Sequence, residues 1–168
     1  MRTSSSRKQI GEHHGRIVKL IGDGTLVEFA SVVDAVECAA AIQAGVAERE
    51  ASLPADQRIA FRIGINIGDV IIEGDDIYGD GVNVASRLEG LAEPGGGCVA
   101  RNVYNQVKDK VEFGFEPAGE HRVKNIPAPV TVYRLVTEPG PGARTSRLGH
   151  TKRRPGNGAS LRAQPPWF

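Results

Sequence analysis

Phe61-Arg62-Ile63-Gly64-Ile65-Asn66-Ile67-Gly68 places a large apolar side chain at every second position, and that stretch decides the fold class. Side chains of an extended chain alternate between two faces, so the run from Ile59 to Gly68 is a strand with one aliphatic face and one small or polar face. Val70–Ile72 follows so closely that it is expected to fold back on this strand as a hairpin. Beyond it, Glu73–Gly81 reads as a loop carrying Asp75, Asp76 and Asp80. A helix over Val82–Leu91 comes next, with Val84, Ala85, Leu88 and Leu91 on its core face and Pro94-Gly95-Gly96-Gly97 as its stop.

Upstream, Arg16–Leu20 and Thr25–Phe29 are apolar runs around Gly22-Asp23-Gly24, the pattern of a β-hairpin with a carboxylate at its tip. Ser31 is the expected cap of a helix, with Asp34 three residues on. Val32, Ala35, Val36, Ala39, Ile42 and Val46 recur along that helix at helical spacing. Residues 1–9 form a polar lead-in, running into a short helical stretch that ends near His14. Downstream lie a short strand at Cys98–Ala100, a helical turn at Val103–Lys108, and a last β region containing His121–Lys124 and Thr131–Val136. Helices and hairpin-paired strands are mixed, so the fold class is α+β.

Composition bounds the function. The chain has 168 residues, 24% charged and 40% hydrophobic, within the range of a water-soluble globular domain. No apolar run approaches the ~20 residues of a membrane span, and Met1–Lys8 has no signal-peptide core, so no membrane span and a cytoplasmic location are expected. Cys38 and Cys98 lack a CxxC spacing, which argues against a disulfide framework and a cysteine zinc site. The net charge of +1 hides an asymmetry, because six of the 21 basic residues follow Glu138 and all 20 acidic residues lie at or before it. The body thus has 15 basic residues against 20 acidic ones, and the segment 138–168, rich in Gly, Pro and Arg, is expected to be a disordered basic tail. Such a tail is more often solvated than a nucleic-acid grip, and no nucleic-acid partner is expected.

Three weaker signals are set aside. Gly79-Asp80-Gly81 lacks the third glycine and downstream acid of a dinucleotide fingerprint. His13-His14 are adjacent and point apart, and Asp75–Asp80 lacks the ligand spacing of a calcium hand.

Lys19-x-x-Gly22-Asp23-Gly24, then Asp75-Asp76-Ile77-Tyr78-Gly79-Asp80-Gly81-Val82-Asn83-Val84-Ala85-Ser86-Arg87, resembles the catalytic domain of class III nucleotidyl cyclases. The resemblance extends through Phe61–Gly68 and Val123-Lys124-Asn125-Ile126, and the domain is expected over residues 10–137. It implies a ferredoxin-like fold, and an adenylate cyclase that converts ATP to cyclic AMP and pyrophosphate for cyclic nucleotide signalling.

In that reaction the ribose 3′ oxygen attacks the α-phosphorus while pyrophosphate leaves, so the protein must position the nucleotide and neutralise phosphate charge. By resemblance, Asp23 is one of two aspartates that hold Mg²⁺ or Mn²⁺. Lys19 and Asp76 match the adenine-selecting pair, where guanine-selecting members carry Glu and Cys. Asn83 matches the residue that orients the ribose and Arg87 the arginine that stabilises phosphate charge. Lys124 matches a lysine on the terminal phosphates. The resemblance also implies a head-to-tail homodimer, with Lys19, Asp76, Asn83 and Arg87 from one chain meeting Asp23 of the other.

The family domain opens with a central strand bearing the other metal aspartate, and no such segment precedes Lys8. The expectation is therefore a fold lacking its first strand, with a vacant central sheet position and weak or no activity from this chain alone. A non-catalytic cyclase-like module or a truncated gene product are the alternatives.

Overall fold

The structure is a computed structural model that describes residues 2–137 and 159–164. In chain order its elements are α1 (Arg2–Glu12), β1 (Gly15–Ile21), β2 (Gly24–Phe29), α2 (Val32–Glu50), a 3-10 turn (Ala55–Gln57), β3 (Arg62–Ile67), β4 (Ile71–Glu73), β5 (Asp76–Tyr78), α3 (Asp80–Leu91), β6 (Gly97–Ala100), α4 (Arg101–Val107), β7 (Gly114–His121), β8 (Val130–Val136) and β9 (Ala159–Gln164).

The alternating run becomes β3, but both of its faces are covered. Ile63, Ile65 and Ile67 are buried with Ala35, Ala39, Ile42 and Val46 of α2 and Val103 and Val107 of α4. Each such aliphatic side chain withdrawn from water contributes about 1.5–3 kcal/mol. On the opposite face lies α3, whose Val84 and Leu88 pack with Cys98, Ala100, Val123 and Val132. Gly64 is small for a reason: a Cβ there would stand 2.2 Å from the Ala85 carbonyl oxygen and 2.4 Å from the Glu89 nitrogen. The alternation of large and small residues thus sets two helix distances, one per face.

Seven strands form one sheet in the order β1-β2-β9-β3-β6-β8-β7, while β4 and β5 form a separate two-stranded ribbon. This α+β architecture is the expected class, with four local differences. Val70–Ile72 does not pair back on the preceding strand; β4 instead pairs forward with β5, Ile71 opposite Tyr78 and Glu73 opposite Asp76. Part of the expected Glu73–Gly81 loop is therefore a strand. The cause is Gly74, which takes φ +61° at the first position of a two-residue turn, the conformation of a tight hairpin. The third difference is that the strand expected at His121–Lys124 ends at His121 and leaves Lys124 in a turn.

The fourth concerns the centre of the sheet. The expected vacancy is filled: β9 pairs antiparallel with β2 on one side and with β3 on the other. Ala159–Gln164 falls within the segment expected to be a disordered tail, and as β9 it is instead an inner strand. A slot with unpaired N–H and C=O groups on both walls is a strong acceptor for any extended segment that can reach it. The rest of that tail, 138–158 and 165–168, lies outside the described residues.

Ser31 caps α2 as expected, its hydroxyl accepting from the Asp34 amide at 3.3 Å, whereas the Asp34 carboxylate pairs with His14 Nδ1 at 3.5 Å.

Candidate functional site

β1 and β2 are joined by the two residues Gly22 and Asp23, and Ile21 faces Gly24. Gly22 takes φ +56° at the first loop position, which a type II′ turn gives to glycine. Asp23, at the second, is exposed at the hairpin tip. No cluster of three or more His, Cys, Asp or Glu side chains that could hold a metal forms among the described residues.

Along β1 the register slips between Ile17 and Lys19, so Val18 is an extra residue. A bulge of this kind re-aims the side chains that follow it. Lys19 Nζ donates to Asp76 Oδ2 at 2.7 Å, joining β1 to the first residue of β5. The ammonium also lies 5.6 Å from the centre of the Tyr78 ring. Asp76 is further held by the Ile77 amide, which donates to Oδ1 at 2.9 Å.

The hydrogen bond from Lys19 is the main cause that draws the Asp76 carboxyl below its ordinary range, with a second bond from Tyr78 acting in the same direction. The same contact with Asp76 pushes Lys19 up, and hydrogen bonding to Asp76 also pushes the Tyr78 phenol up. Both members of the pair stay charged at neutral pH. Burial of Ile77, 5% exposed between these residues, anchors the ribbon that presents them.

Beyond β5 the chain turns at Gly79, with φ +124°, directly into α3. A side chain there would approach the Asp69 carbonyl oxygen to 3.0 Å. Asn66, buried at the end of β3, donates to the Gly81 carbonyl oxygen at 3.3 Å and fixes the start of the helix.

Asn83 and Arg87, four residues apart, lie on the exposed face of α3, away from Val84 and Leu88. They line an open cleft of about 610 Å³ together with Ser86, Gly90, Arg122, Val123, Lys124 and Asn125. The opposite wall is a turn: the Ile126 amide donates to the Val123 carbonyl oxygen at 3.0 Å, and Asn125 takes φ +67°. Asparagine tolerates that left-handed conformation better than most residues. Buried Val123 pins the turn to the core and leaves Lys124 exposed beside the cleft.

Arg87, Arg122 and Lys124 give this cleft three cationic groups, and among the described residues no carboxylate lines it. It is suited to a polyanion, and a planar guanidinium can grip phosphate oxygens at two points. The structure therefore brings the expected residues together as two groups, Lys19 with Asp76, and Asn83 with Arg87 and Lys124. Asp23 belongs to neither group. Arg122 was not singled out from the sequence, because a strand reading of His121–Lys124 gives no reason to turn it toward Arg87.

A mixed sheet with helices on both faces, a charged Lys–Asp pair and a cationic cleft along α3 define an α+β domain with a polar, charged face. The family profile described as "Adenylate and Guanylate cyclase catalytic domain" matches residues 3–137, and the chain belongs to that family. It is 47% identical over 124 residues to "Putative adenylate cyclase 3" of Rhizobium meliloti (strain 1021), a match covering 74% of this chain and 21% of that protein. "Adenylate cyclase 1" of the same organism is 30% identical over 149 residues, covering 76% of this chain and 22% of that protein. The chain thus spans about a fifth of the length of these two relatives.

Among solved structures, the adenylate/guanylate cyclase/hydrolase from Silicibacter pomeroyi superposes with a TM-score of 0.78 at 43% identity, covering 80% of each chain. The adenylyl cyclase CyaB from P. aeruginosa gives a TM-score of 0.66 at 25% identity, covering 88% of this chain and 82% of its own.

Proposed function

We propose that this chain is an adenylate cyclase domain that closes ATP to cyclic AMP with release of pyrophosphate. The observation that carries the choice of base is the Lys19–Asp76 contact of 2.7 Å. Adenine offers a ring-nitrogen acceptor beside an amino donor, which a lysine donor and a carboxylate acceptor match. At the same two places guanine offers an N–H donor and a carbonyl acceptor in turn, and so leaves both side chains mispaired. Sites built from such groups discriminate strongly.

The cationic cleft on α3 supports the assignment of the phosphates. Arg87 would neutralise charge developing around the α-phosphorus, Asn83 would orient the ribose and Lys124 would hold the terminal phosphates. Such catalysis is positioning and charge stabilisation, because phosphoryl chemistry asks for little covalent help from the protein.

Asp23 would hold a divalent ion, Mg²⁺ or Mn²⁺. A single exposed carboxylate fits an ion that takes its other ligands from water and from substrate phosphates, which is the habit of Mg²⁺. When bound, that ion neutralises phosphate charge.

Head-to-tail homodimerisation would bring Asp23 of one chain to the Lys19–Asp76 and Asn83–Arg87 groups of another. Leu20, Ile71, Ile72 and Tyr78, between 46% and 61% exposed, flank the Lys19–Asp76 pair and form an apolar surface for such a contact. The test is cyclic nucleotide formation by the purified chain from ATP and from GTP, with Mn²⁺. Formation of cyclic AMP in preference to cyclic GMP is expected; product from GTP alone would overturn the choice of base.

A further inference from the structure

We infer that Ala159–Gln164 is an intramolecular clasp, a strand donated by the C-terminal segment that joins the Asp23 hairpin to the rest of the sheet and to helix α3. Four observations converge. First, β9 is hydrogen-bonded along both edges: Phe29, Val27 and Thr25 of β2 face Ala159, Leu161 and Ala163, and Ile67, Ile65 and Ile63 of β3 face the same three residues. Second, β2 and β3 are neighbours only through β9 in the sheet order, so withdrawing it parts the β1–β2 hairpin from β3 by about two strand spacings, ~10 Å.

Third, α3, which carries Asn83 and Arg87, packs against β9 as well as β3, and α2 touches β9 from the other side. The strand is thus the strut between the hairpin tip at Asp23 and the helix that bears Arg87. Fourth, the connection is geometrically easy. β9 lies three strand positions from β8, roughly 15 Å across the sheet. The segment 138–158 has 21 residues, a length of chain whose full extension is ~70 Å.

The segment's chemistry suits this role. Ala159–Gln164 contains neither proline nor glycine, while Gly156-Asn157-Gly158 precedes it and Pro165-Pro166 follows. A proline cannot donate to a ladder, so the pairing has a natural stop after Gln164. The strand also contains no Asp or Glu, so it completes the sheet without adding a carboxylate. Basic residues Lys152, Arg153 and Arg154 lead into it from a chain whose body is net acidic, which favours docking at low salt.

Hydrogen exchange on the full chain tests the inference directly. Amides of 160–164 are expected to exchange about 10³-fold slower than in a free peptide, comparable with Ile63–Ile67. Random-coil exchange there would overturn the clasp. The protection is expected to persist over a ~100-fold dilution; loss on dilution would mean that the strand comes from a second copy and would overturn its intramolecular origin.

Leu161→Pro removes a donor from the strand, and it is expected to speed labelling of Cys38 and Cys98 by about tenfold or more, with a peptide of residues 157–166 slowing it again. Unchanged labelling in Leu161→Pro, or a peptide without effect, would also overturn it. None of these readouts depends on nucleotide turnover, so they stand apart from the proposed cyclase activity.

Discussion

Lys19 and Asp76 are 57 residues apart in sequence and 2.7 Å apart in space, a contact that ties the edge strand β1 to the β4–β5 ribbon. Two local devices make it possible. The bulge at Val18 turns Lys19 toward the ribbon, and the tight turn at Gly74-Asp75 brings Asp76 back to meet it. Neither side chain is deeply buried, at 42% and 26% exposure, so the pair holds its charges in a place a ligand can reach. A base entering the site would exchange one donor–acceptor contact for two.

The pair should show itself in pH titration. Its hydrogen bond lowers the Asp76 pKa and raises that of Lys19. A depressed folded-state carboxyl stabilises the fold above its unfolded pKa and loses that contribution as pH falls through the lowered value. The raised lysine contributes below its unfolded pKa and loses it only as pH climbs through its higher folded value. The contact is therefore complete at neutral pH and lost first on the acid side. Carboxyl NMR should place the Asp76 midpoint below the ordinary carboxylate range, and Lys19→Ala should move it up. A midpoint unmoved by that substitution would remove Lys19 as the cause.

The proposed choice of base rests on the same contact. Lys19→Glu with Asp76→Cys reverses the donor and acceptor, and is expected to shift the ATP:GTP ratio of kcat/KM toward GTP by about tenfold or more. Both replacements sit on partly exposed side chains, so folding should survive. An unchanged ratio would detach these two residues from base selection.

Arg87 of α3 lines a cleft that has no carboxylate among the described residues. In the proposed reaction its charge would matter most as the phosphate develops charge, so Arg87→Ala should lower kcat about 10²-fold or more with little change in KM. A raised KM at constant kcat would make it a ground-state contact. Mixing Arg87→Ala chains with Asp23→Ala chains should recover activity, because one site in the mixed dimer then has both groups. Recovery failing in a confirmed dimer would argue against shared sites.

Much of this arrangement is legible in the sequence, and the exceptions have physical causes. Gly22-Asp23 between two apolar runs specifies a hairpin locally, and Val84, Ala85, Leu88 and Leu91 specify the inner face of α3. Gly74-Asp75 is the same two-residue turn chemistry, but its flanking strands are only three residues each, too short for alternation to be read. Pairing of Val70–Ile72 with the longer strand before it therefore looked equally natural. β9 was hidden for a different reason. Ala159, Ser160, Arg162, Ala163 and Gln164 are not strong strand formers, and nothing local shows that a slot awaits them across the sheet. Long-range pairing decided that element. Arg122 was missed because its direction depends on the turn closed by Val123 and Ile126.

The contact between β3 and α3 gives the last prediction, one that is independent of catalysis. A Cβ on Gly64 would sit 2.2 Å from the Ala85 carbonyl oxygen, 2.4 Å from the Glu89 nitrogen and 3.0 Å from the Leu88 carbonyl carbon. All three are backbone atoms of one helix, so no side chain can swing aside to make room. The helix must move outward, or the sheet must bend, and overpacking of this sort costs about 1–3 kcal/mol. Gly64→Ala is therefore expected to lower Tm by several degrees. Gly90→Ala is the control, since nothing lies within 4 Å of a Cβ there and the position is in the same helix. Alanine in place of glycine within a helix stabilises by roughly 0.5–1 kcal/mol, so that variant should melt at or above the parent temperature. Thermal unfolding of the two variants beside the parent decides the matter: equal melting of Gly64→Ala and the parent would mean that α3 does not rest on the β3 backbone.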